Sequence, residues 1–384
     1  MKTKYKLQPI EAFKGTAKSV KVPLCGTFTD LAVPLKASIG SNLYLIFKNF
    51  MKKSIKRFLT SFSLCLFLIC VTLFGISMPN ASANHGNWHK VDLPVAITPL
   101  DLWFDNAEPN HGWLVGTDAT LLESIDGGST WEERKLDLGD SIYRFSSISF
   151  SGAEGWITGQ PALLLHTTDS GKSWSRIGLS SKLPGDPFAI VAQGSNTAEM
   201  VTDLGAIYAT QDAGQNWKAL VTQAVGNARN LNRSVDGRYV AISANGNFYS
   251  TWQPGDMTWI QHNRNSSRRV QNMGYTPDNR LWMLNRGGQV QFSEVGEFET
   301  WEKKQTPRES GGFGLLDLAY QDENNVWISG GSSRLIHSED GGKTWKRDES
   351  AANAGANLYK IYFFSSDRGF VIGQNGTLLA YSPD

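Results

Sequence analysis

An all-β fold, a closed seven-bladed β-propeller, is predicted by three features of this 384-residue sequence. Seven tryptophans, Trp88, Trp131, Trp174, Trp217, Trp259, Trp301 and Trp345, follow one another at gaps of 43, 43, 43, 42, 42 and 44 residues. Four of them end an Asp-x-Gly-x-x-Trp pattern: Ser124 to Trp131 (SIDGGSTW), Thr167 to Trp174 (TTDSGKSW), Thr210 to Trp217 (TQDAGQNW) and Ser338 to Trp345 (SEDGGKTW). The composition, with 38 glycines, 13 tryptophans and few helix-forming runs, suits many short strands joined by tight turns.

The chain divides in charge before it divides in structure. Residues 1–83 hold twelve Lys/Arg against Glu11 and Asp30, leaving 25 basic and 34 acidic residues in the remainder, a net charge of −9 there. Met51, Lys52, Lys53, Lys56 and Arg57 precede an uncharged run from Phe58 to Ile76 and then Ala81, Ser82 and Ala83. A basic start, an apolar stretch and a small-residue site are the layout of an export signal cut after Ala83, with an uncleaved anchor as the competing reading. Residues 1–50 read as an upstream extension, either a mis-assigned start or a transit segment, and 84–384 as the propeller. Cys25, Cys65 and Cys70 all lie before residue 84, so no disulfide framework or thiolate metal site is expected in the propeller.

Each 43-residue period repeats one order: an apolar strand, a Gly-Trp strand, a Leu-rich strand, then the Asp-box turn and its tryptophan. Trp113, Trp156 and Trp327 each stand 18 residues before a box tryptophan. Four short strands in such a period are one blade. After Trp345 three strands remain, Leu358 to Phe363, Gly369 to Gly373 and Thr377 to Tyr381, while Trp88 stands alone at the other end. The N-terminal strand is therefore expected to complete the last blade, which closes the ring and removes its exposed edges.

The chemistry-bearing residues weigh against catalysis. In the boxes, the carboxylates of Asp126, Asp169, Asp212 and Asp340 suit their own turns, accepting backbone N–H groups beside a glycine at positive φ. Glycosidases also carry such boxes, and a propeller glycosidase or carbohydrate-binding module is the alternative function. It would require two carboxylates facing each other across a pocket. The six histidines show no metal spacing, and His166 and His337 hold equivalent repeat positions, as packing residues would. No catalytic residue, metal or cofactor is expected, and nucleic acid is a poor partner for an exported, acidic chain.

One segment departs from the repeat. Residues 229–286 contain Arg229, Arg233, Arg238, Arg264, Arg268, Arg269, Arg280 and Arg286, no lysine, and only Asp236, Asp256 and Asp278 in opposition. Arginine without lysine favours forked, hydrogen-bonded recognition of carboxylates or phosphates. The partner patch is expected at Arg229, Arg233, Arg238, Arg264, Arg268 and Arg269. Replacing Arg233, Arg268 and Arg269 together is expected to weaken binding while changing stability by no more than about 0.5 kcal/mol, as for exposed residues in general.

The strings YRFSSISF (Tyr143 to Phe150), SSKLPGDPF (Ser180 to Phe188), NRSVDGRYVAIS (Asn232 to Ser243), RRVQNMGY (Arg268 to Tyr275) and GFGLLDLAY (Gly312 to Tyr320) resemble the photosystem II stability and assembly factor family, over nearly all of residues 87–384. The resemblance implies a non-enzymatic helper of the thylakoid lumen, peripheral to the membrane. It would bind the newly made reaction-centre precursor polypeptide, the PsbA precursor, in early assembly and repair. It also implies that the family's arginine-rich patch falls on the six arginines named above. Many cyanobacterial members are lipoproteins, whereas Cys65 follows Leu64 and Cys70 follows Ile69, without the small residue that lipid attachment needs. The propeller is expected to act as a monomer.

Overall fold

The computed structural model describes residues 87–383 except Asn106, Asp140, Asn265, Ser266 and 309–313. The expected export signal over 51–83 and the extension over 1–50 lie outside the described residues. Seven antiparallel sheets follow in chain order as the blades of a ring. From the axis outward, blade 1 is Pro99–Phe104, Gly112–Gly116, Leu121–Ser124 and Glu132–Glu133. The innermost strands of blades 2 to 7 are Arg144–Ser151, Pro187–Gly194, Ala228–Arg233, Val270–Tyr275, Leu315–Tyr320 and Leu358–Ser365. The second strands Gly112–Gly116, Leu281–Asn285 and Val326–Gly330 are buried at every residue, because neighbouring blades cover both their faces.

Closure occurs as the repeat phase predicts. Asn87–Val91 pairs with Leu378–Ser382 as the fourth strand of blade 7, placing Trp88 opposite Tyr381. The Trp88 ring meets Trp327 of blade 6 edge-on at 5.5 Å. Trp174 meets Trp113, and Trp217 meets Trp156, in the same T-shaped way across adjacent blades. His166 and His337 stack on Trp156 and Trp327, each at 4.0 Å, which gives the two histidines their shared packing role.

Blade 5 departs from four strands. Its sheet has three, and the fourth is reduced to isolated bridges between Val290 and Gln305 and between Ser293 and Trp301. Two residues stand between the hydrogen bond from Glu302 N–H to the Phe292 carbonyl and the one from Gln305 N–H to the Val290 carbonyl, so no continuous ladder forms. Trp301 nevertheless docks on Tyr249 of blade 4 at 6.0 Å, which explains why the tryptophan phase survives without the strand.

The Asp-boxes are self-contained turns. The Asp169 carboxylate accepts the Ser173 backbone N–H at 2.9 Å and the Ser173 hydroxyl at 2.6 Å. These bonds from Ser173, with one from Thr167, hold its pKa down to about 2. Asp126, Asp212 and Asp340 accept the equivalent backbone N–H from Thr130, Asn216 and Thr344. Gly171 takes φ +83° in such a turn, and a Cβ there would stand 2.4 Å from the Trp113 ring, so the turn can lie flat on the preceding blade only as glycine.

A belt of side chains joins the blades around the axis. Every innermost strand carries a β-bulge that skips its second residue or the one next to it, and the residue after the skip is Asp101, Ser147, Ala189, Asn230, Asn272, Asp317 or Lys360. From this position Asp101 accepts the Ile148 N–H of blade 2, and Asp317 accepts the Ile361 N–H of blade 7. Asn230 donates to Asn272, and Asn272 to Asp317. Lys360 and the Tyr362 hydroxyl return from blade 7 to Asp101 at 2.9 and 2.8 Å. Between blades 3 and 4 the link is different: Arg233 and the Tyr239 hydroxyl both donate to Glu199 of blade 3, each at 2.8 Å.

Candidate functional site

Strand order assigns the arginines to two faces. Adjacent strands are antiparallel, so the upper face, where innermost strands begin, carries the connections between blades and those from second to third strands. The lower face carries the first-to-second connections and the Asp-box turns.

On the upper face, Arg229 is the bulge residue of blade 4. Arg264, Arg268 and Arg269 belong to the connection into blade 5, and Arg286 follows the second strand of blade 5. Arg264 donates to the Arg268 carbonyl, and Arg268 to the Arg286 carbonyl at 3.2 Å, which ties the two loops together. Arg229 donates to Gln271, the bulge residue of blade 5, at 3.0 Å. Burial and the nearby charges of Arg286 and Arg269 hold the Arg229 pKa below the usual arginine value. Among the described residues, none of the carboxylates that form ion pairs pairs with Arg229, Arg264, Arg269 or Arg286. The result is a cluster of like charges, and an incoming carboxylate would relieve its repulsion.

The other predicted residues lie at the lower end. Arg233 ends its strand in the ion pair with Glu199, with side chains only 20% and 6% exposed, and its guanidinium lies 5.8 Å from the centre of the Tyr239 ring. Arg238 pairs with Asp236 at 3.1 Å, and Arg280 with Asp278 and Glu302. The structure thus brings Arg229, Arg264, Arg268 and Arg269 together and places Arg233 and Arg238 apart from them. Arg286, outside the six predicted residues, joins the upper cluster. The strand order within a blade was the signal for it, since second-to-third connections and inter-blade connections emerge on one face.

On the axis, the upper face opens into a pit of about 210 Å³. Arg144, Phe188, Tyr359 and Lys360 line it together with Asn230, Asn232, Asp101 and Asp317. Two carboxylates therefore do share a pocket, but each of their oxygens accepts a hydrogen bond from the belt. Burial pushes the Asp317 carboxyl up to about 6, against the bonds from Ile361 and Asn272 and the charge of Lys360.

A closed seven-bladed β-propeller with an arginine cluster on one face is the class defined by this fold and site. The chain belongs to the family described as photosynthesis system II assembly factor YCF48, which it matches over residues 80–382. It is 56% identical over 322 residues to the photosystem II assembly lipoprotein Ycf48 of Trichormus variabilis, covering 84% of this chain and 93% of that one. It is 46% identical to the chloroplastic stability/assembly factor HCF136 of Arabidopsis thaliana, covering 78% of this chain and 80% of that one. A solved structure described as YCF48 bound to D1 peptide superposes with a TM-score of 0.75 at 51% identity, over 78% of this chain and 97% of its own.

Proposed function

We propose that the chain is a non-enzymatic photosystem II assembly factor that binds the newly made D1-type reaction-centre polypeptide with its upper face. The carrying observation is the cluster of Arg229, Arg264, Arg269 and Arg286, whose charge no carboxylate among the described ion pairs offsets. Guanidinium forks in that setting suit acidic side chains on an extended chain, and the rigid ring presents them with little reorganisation. A D1 peptide bound to a 51% identical relative supports the same partner class. Weighing against the glycosidase alternative, the oxygens of Asp101 and Asp317, the two carboxylates in the pit, are engaged between blades. The thylakoid lumen fits the basic-then-apolar leader of 51–83 and relatives described as lipoprotein or chloroplastic.

The test is affinity for a synthetic lumenal peptide of the reaction-centre precursor. The double variant Arg269→Ala/Arg286→Ala should bind about 10- to 100-fold more weakly and keep its thermal transition, since both residues are exposed. The loss should shrink as salt rises, and Arg238→Ala should bind like the parent. Equal affinity for parent and double variant would refute the assignment of the upper face.

A further inference from the structure

The arginine cluster does not account for the pit beside it. The connection is covalent: Arg229 belongs to the cluster, and the next residue of the same strand, Asn230, lines the pit. Arg144 begins the innermost strand of blade 2, exposed at the rim, and none of the described ion pairs involves it. Lys360 stands on the blade 7 side, its side chain 43% exposed, held by Asp101 and lying 4.7 Å from the centre of the Tyr362 ring. Asp101 is paired with Lys360, and the two Asp317 oxygens accept from the Asn272 amide and the Ile361 N–H. Among the described ion pairs, Arg144 is therefore the cation of this lining left without a carboxylate partner. Asn272 has both its amide hydrogens and its oxygen committed to the belt, so the pit is a rigid cup that an incoming group need not organise.

We infer that the axial pit is a receptor for one carboxylate of the bound polypeptide, captured by Arg144 with Lys360 beside it, while the arginine cluster holds the adjoining chain. This inference rests on the proposed function. The carboxylate is either an acidic side chain or the free C-terminus; a volume of about 210 Å³ admits one such group with a few waters, not a folded segment.

The probe is the same synthetic precursor peptide in three forms: free acid, C-terminal amide, and with its Asp and Glu replaced by Asn and Gln. Arg144→Ala is exposed enough to fold normally, which its thermal transition would verify. It should weaken binding of the free acid about 10-fold, yet change by less than about 2-fold the affinity of whichever neutralised form has lost the captured group. Selectivity for the amide identifies the C-terminus; selectivity for the Asn/Gln form identifies a side chain. If Arg144→Ala weakens all three forms alike, or none, while Arg269→Ala/Arg286→Ala still weakens binding, the proposed function stands and the pit receptor is overturned. If the parent binds no form, both fall.

Discussion

Trp88→Ala should destabilise the folded ring by about 3–5 kcal/mol, the usual cost of removing a buried tryptophan, and lower the thermal midpoint by roughly 5–15 °C. Trp88 is 3% exposed and packs at once on Trp327, Phe363 and Tyr381, so it joins blade 6 to blade 7 and the N-terminal strand to both. The strand Asn87–Val91 has no other sheet to enter, and losing its anchor would expose the edge of Leu378–Ser382. Phenylalanine at the same place should retain much of the packing. Ile142→Ala, at a side chain 83% exposed, is the control and should shift stability by less than about 0.5 kcal/mol. Thermal and denaturant unfolding check both. A Trp88→Ala cost below about 1 kcal/mol would mean that the ring does not depend on this closure.

Arg233→Ala is the second large effect, and it reverses the expectation that this residue is a neutral surface arginine. The substitution leaves Glu199 buried, with the Tyr239 hydroxyl as its remaining donor. Removing one member of a buried pair costs about 3–5 kcal/mol, mostly because the other charge stays desolvated. Adding Glu199→Gln to Arg233→Ala should restore part of the loss, since glutamine keeps an acceptor for Tyr239 without the charge. Recovery in the double variant separates the stranded charge from simple loss of packing. Peptide affinity of the folded Arg233→Ala protein should match the parent's.

These two residues mark what the sequence reveals and what it conceals. Trp88 was legible because a 43-residue phase continues through it, and a ring must use a leftover strand at one end to finish the blade at the other. Trp301 kept that phase while its strand dissolved, because an aromatic ring can dock on Tyr249 whatever the backbone register does. Arg233 and Arg229 lie four positions apart on one strand, and nothing in their identity says that one end meets Glu199 and the other an open face. Only Glu199, some 34 residues away, decides it. The belt was hidden for another reason: its repeat position holds Asp101, Ser147, Ala189, Asn230, Asn272, Asp317 and Lys360, a set without a consensus to notice.

The central claim, that the partner lies across the upper face, is tested most directly by hydrogen exchange of the full chain with and without the precursor peptide. The account predicts slowed exchange in 267–270 and 285–288 and at the start of Ala228–Arg233, with the lower loops 234–238 and 276–280 unchanged. Protection confined to those lower loops, with the upper segments exchanging as in the free protein, would contradict it.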